Sequence, residues 1–227
     1  MRLDRREFLG VSVGALVALR LPARHEPVRI ALLAPGGPAD SSALAASLDG
    51  ARLGAEELAR TFALLGREIA LVEGVAGDAT GVVSLMQDDS APTLPLVVDA
   101  RAHSSCTASA AFRIGTTRPD AMLWHPSLFR YGAQQLNDRF RRRYGRGMDE
   151  HAWAGWFSLK VLGEAALRAR SNDPARLAAW MLSPRARFDG HKGVPLHFDA
   201  RRVLVQPTFT MSAGEIQQIE PAGSCAP

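Results

Sequence analysis

A predicted ligand site begins with two serines that open a helix. Ser41 and Ser42 follow the loop at residues 34–38, and their hydroxyls stand beside free backbone N–H groups at a helix amino terminus. The helix dipole favours negative charge at that end, so a carboxylate-bearing ligand could bind there. Simple capping of the helix by the same hydroxyls is the alternative interpretation.

A second group of polar residues follows a predicted strand. Asp99 ends the strand, and Arg101, Ser104 and Ser105 come just after it. Open α/β sheets bind ligands beyond the carboxyl ends of their strands, so these side chains are predicted to line a site. A solvated loop is the alternative.

Trp124 and His125 form a third candidate. An indole next to an imidazole suits the wall of a ligand pocket, because one ring is largely apolar and the other carries hydrogen-bonding nitrogens. A packed tryptophan with a histidine on the surface is the alternative.

Two histidines and a carboxylate raise the question of a metal ion. His197 and Asp199 are alternate residues that would share a strand face, and His191 precedes them. No cysteine or histidine spacing typical of a metal site accompanies them, so neither a metal nor a cofactor is expected. The chain also has no Gly-x-Ser-x-Gly elbow, phosphate loop or Gly-x-Gly-x-x-Gly after its first strand, and we expect no enzymatic activity.

The charge of the chain is weak evidence for a nucleic-acid partner. The formal net charge is only +4, and Lys160 and Lys192 are the only lysines among 27 cationic residues. The densest basic run, at residues 139–146, spreads around the outer face of a predicted helix. A solvated helix face is therefore expected, with no nucleic-acid binding.

The elements that must position these residues alternate between strands and helices. Apolar runs at 28–33, 68–72, 94–99 and 111–114 predict strands. The first two of these flank a helix with an apolar face from Leu44 to Phe62, which makes a strand, helix, strand unit. Parallel strands of this kind need helices to cover them, so we predict an α/β fold, a mostly parallel sheet with helices on both faces.

The rest of the chain predicts smaller elements. Residues 81–86 form a strand or a helical turn, and 122–124 an edge strand. Three helices are expected, from Pro126 to Tyr144, from the cap Asp149 to about Arg170, and from Asp173 to about Leu182. Residues 188–190 form a turn, 194–198 and 203–211 are strand-like, and the last dozen residues are expected to be loosely held.

The amino terminus is typical of an export signal. Residues 1–23 combine Arg2, Arg5 and Arg6 with a short apolar stretch at 9–19 and a small residue at a cleavage point, and 4–10 resemble the bacterial twin-arginine signal. An ordinary secretory signal is the alternative, with the same destination. Eleven apolar residues are too few to cross a bilayer, so we expect no stable membrane anchor and one mature domain at 24–227.

Export would place the two cysteines in an oxidising compartment. A bond between Cys106 and Cys225 would close a loop of more than a hundred residues, worth up to about 4–5 kcal/mol in the chain-entropy model. Two unpaired thiols are the alternative.

Several stretches carry a resemblance to a known family. Residues 50–57 and 65–72, and at the other end 153–166, 173–174 and 188–198, resemble type 1 periplasmic binding proteins of the leucine/isoleucine/valine-binding kind, the substrate-binding components of ABC transporters. The resemblance implies an ABC permease as partner.

Other stretches resemble one branch of that family more closely. Residues 124–126, 132–140, 145–148 and 206–207 are similar to the substrate-binding-like proteins encoded with pyrroloquinoline-quinone-dependent alcohol dehydrogenase systems. This resemblance implies a quinoprotein dehydrogenase as the alternative partner.

The departures from the family concern length and the ligand pocket. Residues 114–120 run almost directly into 122–124, where family members insert most of a second lobe, and 73–94 is also expected to be shortened. Ala100 and Ala102 lack the hydroxyl with which the family holds an α-amino acid. We therefore expect an exported, one-lobed, substrate-binding-like protein with a shallow, weak ligand site; the alternative is a protein-interaction module without a small ligand.

Overall fold

The structure, a computed structural model, describes residues 27–34, 41–75, 82–86, 96–103 and 110–219. A five-stranded sheet lies at its centre, in the order β2-β1-β3-β4-β5. The strands are β1 (Val28–Ala34), β2 (Ile69–Val75), β3 (Val82–Met86), β4 (Leu96–Asp99) and β5 (Phe112–Arg113). The helices are α1 (Ser41–Leu64), α2 (Ala133–Tyr144), α3 (Glu150–Ala169) and α4 (Pro174–Met181).

Four strands of this sheet point the same way. β1 is parallel to β2 and β4 is parallel to β5, whereas β3 runs antiparallel to both β1 and β4. Only residues 76–81 join β2 to β3, and a parallel crossover needs a dozen residues or more, so β3 returns in the opposite direction. The predicted α/β fold with a mostly parallel sheet is confirmed.

The core depends on a close approach between α1 and α3. A Cβ added at Gly50 would lie 1.8 Å from the carbonyl oxygen of Ala152, and one at Gly155 would lie 2.0 Å from the carbonyl oxygen of Ser47. Glycines at both positions therefore let the two helix backbones touch. The start of α3 is fixed by Asp149, whose carboxylate accepts a hydrogen bond from Ala152 N at 2.8 Å, as the sequence predicts.

Two small sheets complete the described chain. One contains β6 (Phe188–Asp189), β7 (Pro195–Phe198) and β8 (Leu204–Val205). The other is a hairpin of β9 (Thr208–Ser212) and β10 (Glu215–Ile219). Met122 forms two backbone hydrogen bonds with Phe209 of β9, of 2.7 and 2.8 Å. This bridge confirms the edge pairing predicted at residues 122–124.

Some predicted boundaries are wrong. α2 begins at Ala133 and not near Pro126, because Tyr131 and Gly132 have φ angles of 56° and 86°, outside the helical region. The expectation of a loosely held tail fails through Ile219, since β10 pairs along its length with β9.

The described chain forms one lobe. Residues 114–121 lead from β5 to Met122, which is too short a path for a second α/β unit. Among the residues that the structure describes, no helix has the length and apolar character needed to cross a membrane.

Candidate functional site

Asp99 and Arg101, two of the residues predicted to line a site at the end of β4, form an ion pair with each other. Asp99 is 4% exposed, and its carboxylate accepts hydrogen bonds from Arg101 N at 3.0 Å, Nε at 2.9 Å and Nη2 at 2.5 Å. These bonds raise the pKa of Arg101, and partial burial opposes the rise. The charge of the Asp99 carboxylate is thus balanced by a guanidinium two residues along the chain.

The two serines predicted to open a ligand site at α1 are not brought together with Asp99. Ser41 and Ser42 are exposed at the start of α1, which follows β1, and β3 separates β1 from β4. Ser104, Ser105, Cys106 and Cys225 lie outside the described residues. The ligand contacts and the disulfide assigned to these six residues stay predictions.

Trp124 and His125 face different environments. Trp124 is 1% exposed, stacks on Trp153 with ring centroids 5.9 Å apart, and donates from Nε1 to Asn137 Oδ1 at 2.9 Å. The Asn137 amide in turn donates to the carbonyl oxygen of Leu128 at 2.9 Å. The indole therefore stands inside the core and holds the following loop in place, while His125 borders a cavity.

This cavity, of about 760 Å³, lies between the loop before α2, the turn before β7 and the β9–β10 hairpin. Its lining is His125, Ser127, Leu128, Phe129, Arg130, Tyr131, Ala133, His191, Lys192, Phe209, Met211, Gly214, Glu215, Ile216 and Gln218.

One face of the hairpin forms a wall of this cavity. Met211 pairs with Ile216 and Phe209 with Gln218 in the antiparallel register, so these four residues share the face toward the cavity. Phe209 is 4% exposed and Met211 is 49% exposed, so the wall becomes more exposed to solvent toward the hairpin turn.

Lys192 lies at the buried end of the cavity. Its side chain is 1% exposed, and Nζ donates to Gln206 Oε1 at 2.6 Å and to the carbonyl oxygen of Pro207 at 3.0 Å. Nζ also stands 3.9 Å from the centroid of the Trp153 ring, a cation–π contact. Lys192 thus connects the cavity to the root of the hairpin, which begins at Thr208.

Burial sets the ionisation of Lys192. Removal from water lowers its pKa well below the ordinary value of 10.5, and the negative charge of Glu150 opposes the shift. Two neutral oxygens and an aromatic face replace only part of the hydration of an ammonium group, so the direction of the shift follows from the geometry.

His191 closes the side of the cavity next to α3. Its ring stacks on Trp156 at 5.4 Å, and Nδ1 lies 3.1 Å from the carbonyl oxygen of Tyr131, an acceptor, which places a proton on Nδ1. Burial lowers the pKa of His191 below 6.5, against the opposing effects of Asp189 and the bond to Tyr131.

His125 has the opposite tautomer when neutral. Its Nδ1 accepts from Ser127 N at 3.2 Å and lies 2.7 Å from Ser127 Oγ, so the ring proton stands on Nε2. The cavity therefore combines apolar walls with two differently protonated imidazoles and an amine, a pattern that can orient a small molecule by a few polar contacts.

Most residues of this site are not predicted from the sequence. His125 is among the predicted ligand residues, His191 is considered only for a metal ion, and no functional role is predicted for Tyr131, Lys192 or Met211. Asp199, a third residue of that metal hypothesis, accepts backbone hydrogen bonds from Arg201 and Val203. Within the described ranges there is no group of three or more metal-ligating side chains.

Comparisons with known proteins show the fold. No family model and no curated protein matches the chain. A putative branched-chain amino acid ABC transporter structure from Rhodospirillum rubrum is 10% identical, with a TM-score of 0.57, over 85% of this chain and 100% of that chain. The likeness shows that the two chains share an α/β fold.

Two longer solved structures match less of their own length. A leucine-binding protein from Thermotoga maritima is 19% identical, with a TM-score of 0.35, and the match covers 44% of this chain and 30% of that chain. A Rhodopseudomonas palustris solute-binding protein in complex with benzoate is 17% identical, with a TM-score of 0.35, over 82% of this chain and 47% of that chain. The chain thus spans less than half the length of either protein.

Proposed function

We propose that this protein is an exported, non-enzymatic, substrate-binding-protein-like component that holds a small molecule in the cavity beside the β9–β10 hairpin. The observation that carries the proposal is the cavity itself, about 760 Å³ in volume, bordered by Lys192 at its buried end and by aromatic and aliphatic side chains at its mouth. Small-molecule sites commonly have this size and this mixture of apolar walls and few polar groups.

The fold supports a binding role more than a catalytic one. The solved structure from Rhodospirillum rubrum with which the chain shares its fold is named as a putative branched-chain amino acid ABC transporter. A single lobe leaves the cavity open on one side, and an open site buries less of a ligand than two closing lobes do. We therefore propose weak binding unless another protein covers the mouth.

The cavity is a better ligand site than the sheet edge that sequence analysis favours. At the edge, the Asp99 carboxylate is already saturated by Arg101. In the cavity, by contrast, His125 and His191 each use Nδ1 on neighbouring protein atoms, so their Nε2 atoms are the ring nitrogens left to contact a ligand.

The proposal includes the compartment and the partner. Residues 1–23 act as a twin-arginine export signal, and residues 24–227 work as one domain in the periplasm. The partner is an ABC permease, or a quinoprotein dehydrogenase if the closer sequence resemblance at 124–126 and 206–207 reflects function.

A thermal-shift screen tests ligand binding. Branched-chain amino acids, aromatic acids such as benzoate, and small alcohols and aldehydes are added singly at up to 10 mM. A ligand at 100 times its Kd stabilises by about 2.7 kcal/mol, which for a chain of this size raises Tm by about 5–11 °C.

Variants show whether a responding ligand uses the cavity. Tyr131→Ala removes an aromatic wall residue and is expected to reduce the shift at least several-fold, whereas Leu64→Ala changes another exposed apolar residue, at the end of α1, and is expected to leave the shift unchanged. A screen in which every compound is silent, or a shift that Tyr131→Ala does not alter, contradicts the proposal.

A further inference from the structure

Exposed apolar side chains concentrate at the mouth of the cavity. Phe129, Tyr131 and Met211 are 65%, 61% and 49% exposed, and all three border the same opening. Aromatic residues, methionine and arginine are enriched where proteins meet other proteins, and exposed apolar patches mark such surfaces. Phe129, Tyr131 and Met211 together form the mouth patch.

One cation and one anion lie at the edges of the mouth patch, one in the loop before α2 and one next to the hairpin turn. Arg130 lies in the loop before α2, with its guanidinium 5.6 Å above the Phe129 ring, and Glu215 lies in β10. Both are exposed, and neither forms an ion pair with another residue of the described chain. Arginines of α2, by contrast, have acidic partners, such as Arg139 with Glu57 and Arg143 with Glu56.

We propose that the mouth patch is the contact surface for a second copy of this chain. A two-fold axis brings the same surface of two copies together, so a residue on one wall of the first copy meets the opposite wall of the second. A patch with one charge of each sign on its two sides, neither of them paired within the described residues, is complementary to itself under that rotation.

The contacts of this dimer follow from the symmetry. Arg130 of each copy pairs with Glu215 of the other, which forms two ion pairs at the rim. Phe129, Tyr131 and Met211 pack on their equivalents between the pairs, where water is excluded. Each cavity mouth is then closed by the other copy, so the dimer supplies the cover that a single lobe lacks.

Self-association does not depend on the proposed ligand. A dimer can form with empty cavities, and a monomer can still bind a small molecule. Measurements of mass without ligand therefore test this inference separately from the ligand screen.

Sedimentation equilibrium of the purified protein between about 1 µM and 1 mM tests the dimer. The expected result is a concentration-dependent rise from the monomer mass to twice that mass. A monomer mass throughout this range overturns the proposal.

Charge reversal tests the predicted pairing. Arg130→Glu and Glu215→Arg alone are each expected to weaken association about tenfold, because both symmetric pairs become repulsive, and the double variant is expected to restore it. Arg142→Glu, which reverses an arginine on α2 outside the cavity lining, is the matched control. Failure of the double variant to recover association overturns the pairing.

An apolar-to-charged change tests the patch. Met211→Asp places two carboxylates at the centre of the interface and is expected to abolish association, while Leu64→Asp at the end of α1 is expected to leave it intact. Both residues are exposed in the monomer, so neither change disturbs the core. A dimer that survives Met211→Asp uses another surface and overturns the proposal.

Discussion

Replacing Lys192 with methionine should remove a pH dependence from the stability of the fold. The Lys192 side chain is buried, and its pKa lies well below 10.5 in the folded chain. In the unfolded chain the amine is in water and keeps its ordinary pKa. Between those two pKa values the unfolded state binds more protons than the folded state, so the free energy of unfolding rises as pH rises.

The slope of that rise has an upper limit. One proton of difference is worth about 1.4 kcal/mol per pH unit, which equals about 3–6 °C in Tm for a chain of this size. Lys192→Met carries no titrating group at this position and lacks the slope. The difference in unfolding free energy between wild type and variant is therefore expected to grow in favour of wild type as pH rises toward 10.5.

Urea denaturation at pH 7, 8, 9 and 10 measures this difference. Lys160→Met is the matched control, because Lys160 is the only other lysine, is partly exposed and pairs with Glu164 at 2.9 Å. A pH-independent difference between wild type and Lys192→Met would show that Gln206, Pro207 and Trp153 fully replace the hydration of the ammonium. That result would refute the reasoning.

Two further changes have clear expected outcomes. Burial lowers the pKa of His191, so below pH 6.5 the unfolded chain binds this proton more readily than the folded chain, and wild type should lose stability as pH falls. His191→Gln should lose less stability over the same range. Equal losses in thermal melts at several pH values would contradict the assignment. Gly50→Ala should lower the unfolding free energy by about 1–3 kcal/mol or more, since its Cβ would overlap the Ala152 carbonyl oxygen. The control, Ala45→Gly at an exposed position of the same helix, should lower the unfolding free energy by no more than about 1 kcal/mol.

The large elements can be predicted because their signals are local. α3 has a capping aspartate, a wide apolar face and a stop near Arg170, all within one stretch of sequence. The start of α2 cannot be found in this way. Tyr131 adopts a positive φ next to Gly132, where a Cβ would lie 2.7 Å from His191 Nδ1, and that contact joins two residues far apart in the sequence.

The hairpin carries a signal that hydrophobicity alone does not show. Its second strand is polar at Glu215, Gln217 and Gln218, which suggests a solvated tail. However, Ala213 and Gly214 have φ angles of 51° and 83°, the backbone of a two-residue hairpin turn, and Gly214 is the residue type that such a turn favours.

The candidate site is harder to predict than the fold. Lys192 lies in a glycine-rich turn with no apolar periodicity, so nothing in its neighbourhood predicts burial. Its partners Gln206 and Pro207 are 14 and 15 residues away, and the Trp153 ring beneath it comes from α3. Only the assembled fold brings these groups together.

The reversed strand β3 limits what the sheet edge can recognise. Adjacent strands lie about 4.8 Å apart, so the ends of β1 and β4 are separated by about 10 Å, with an amino-terminal strand end between them. A compound that contacted the residues at both strand ends would have to be an elongated molecule with a polar group at each tip.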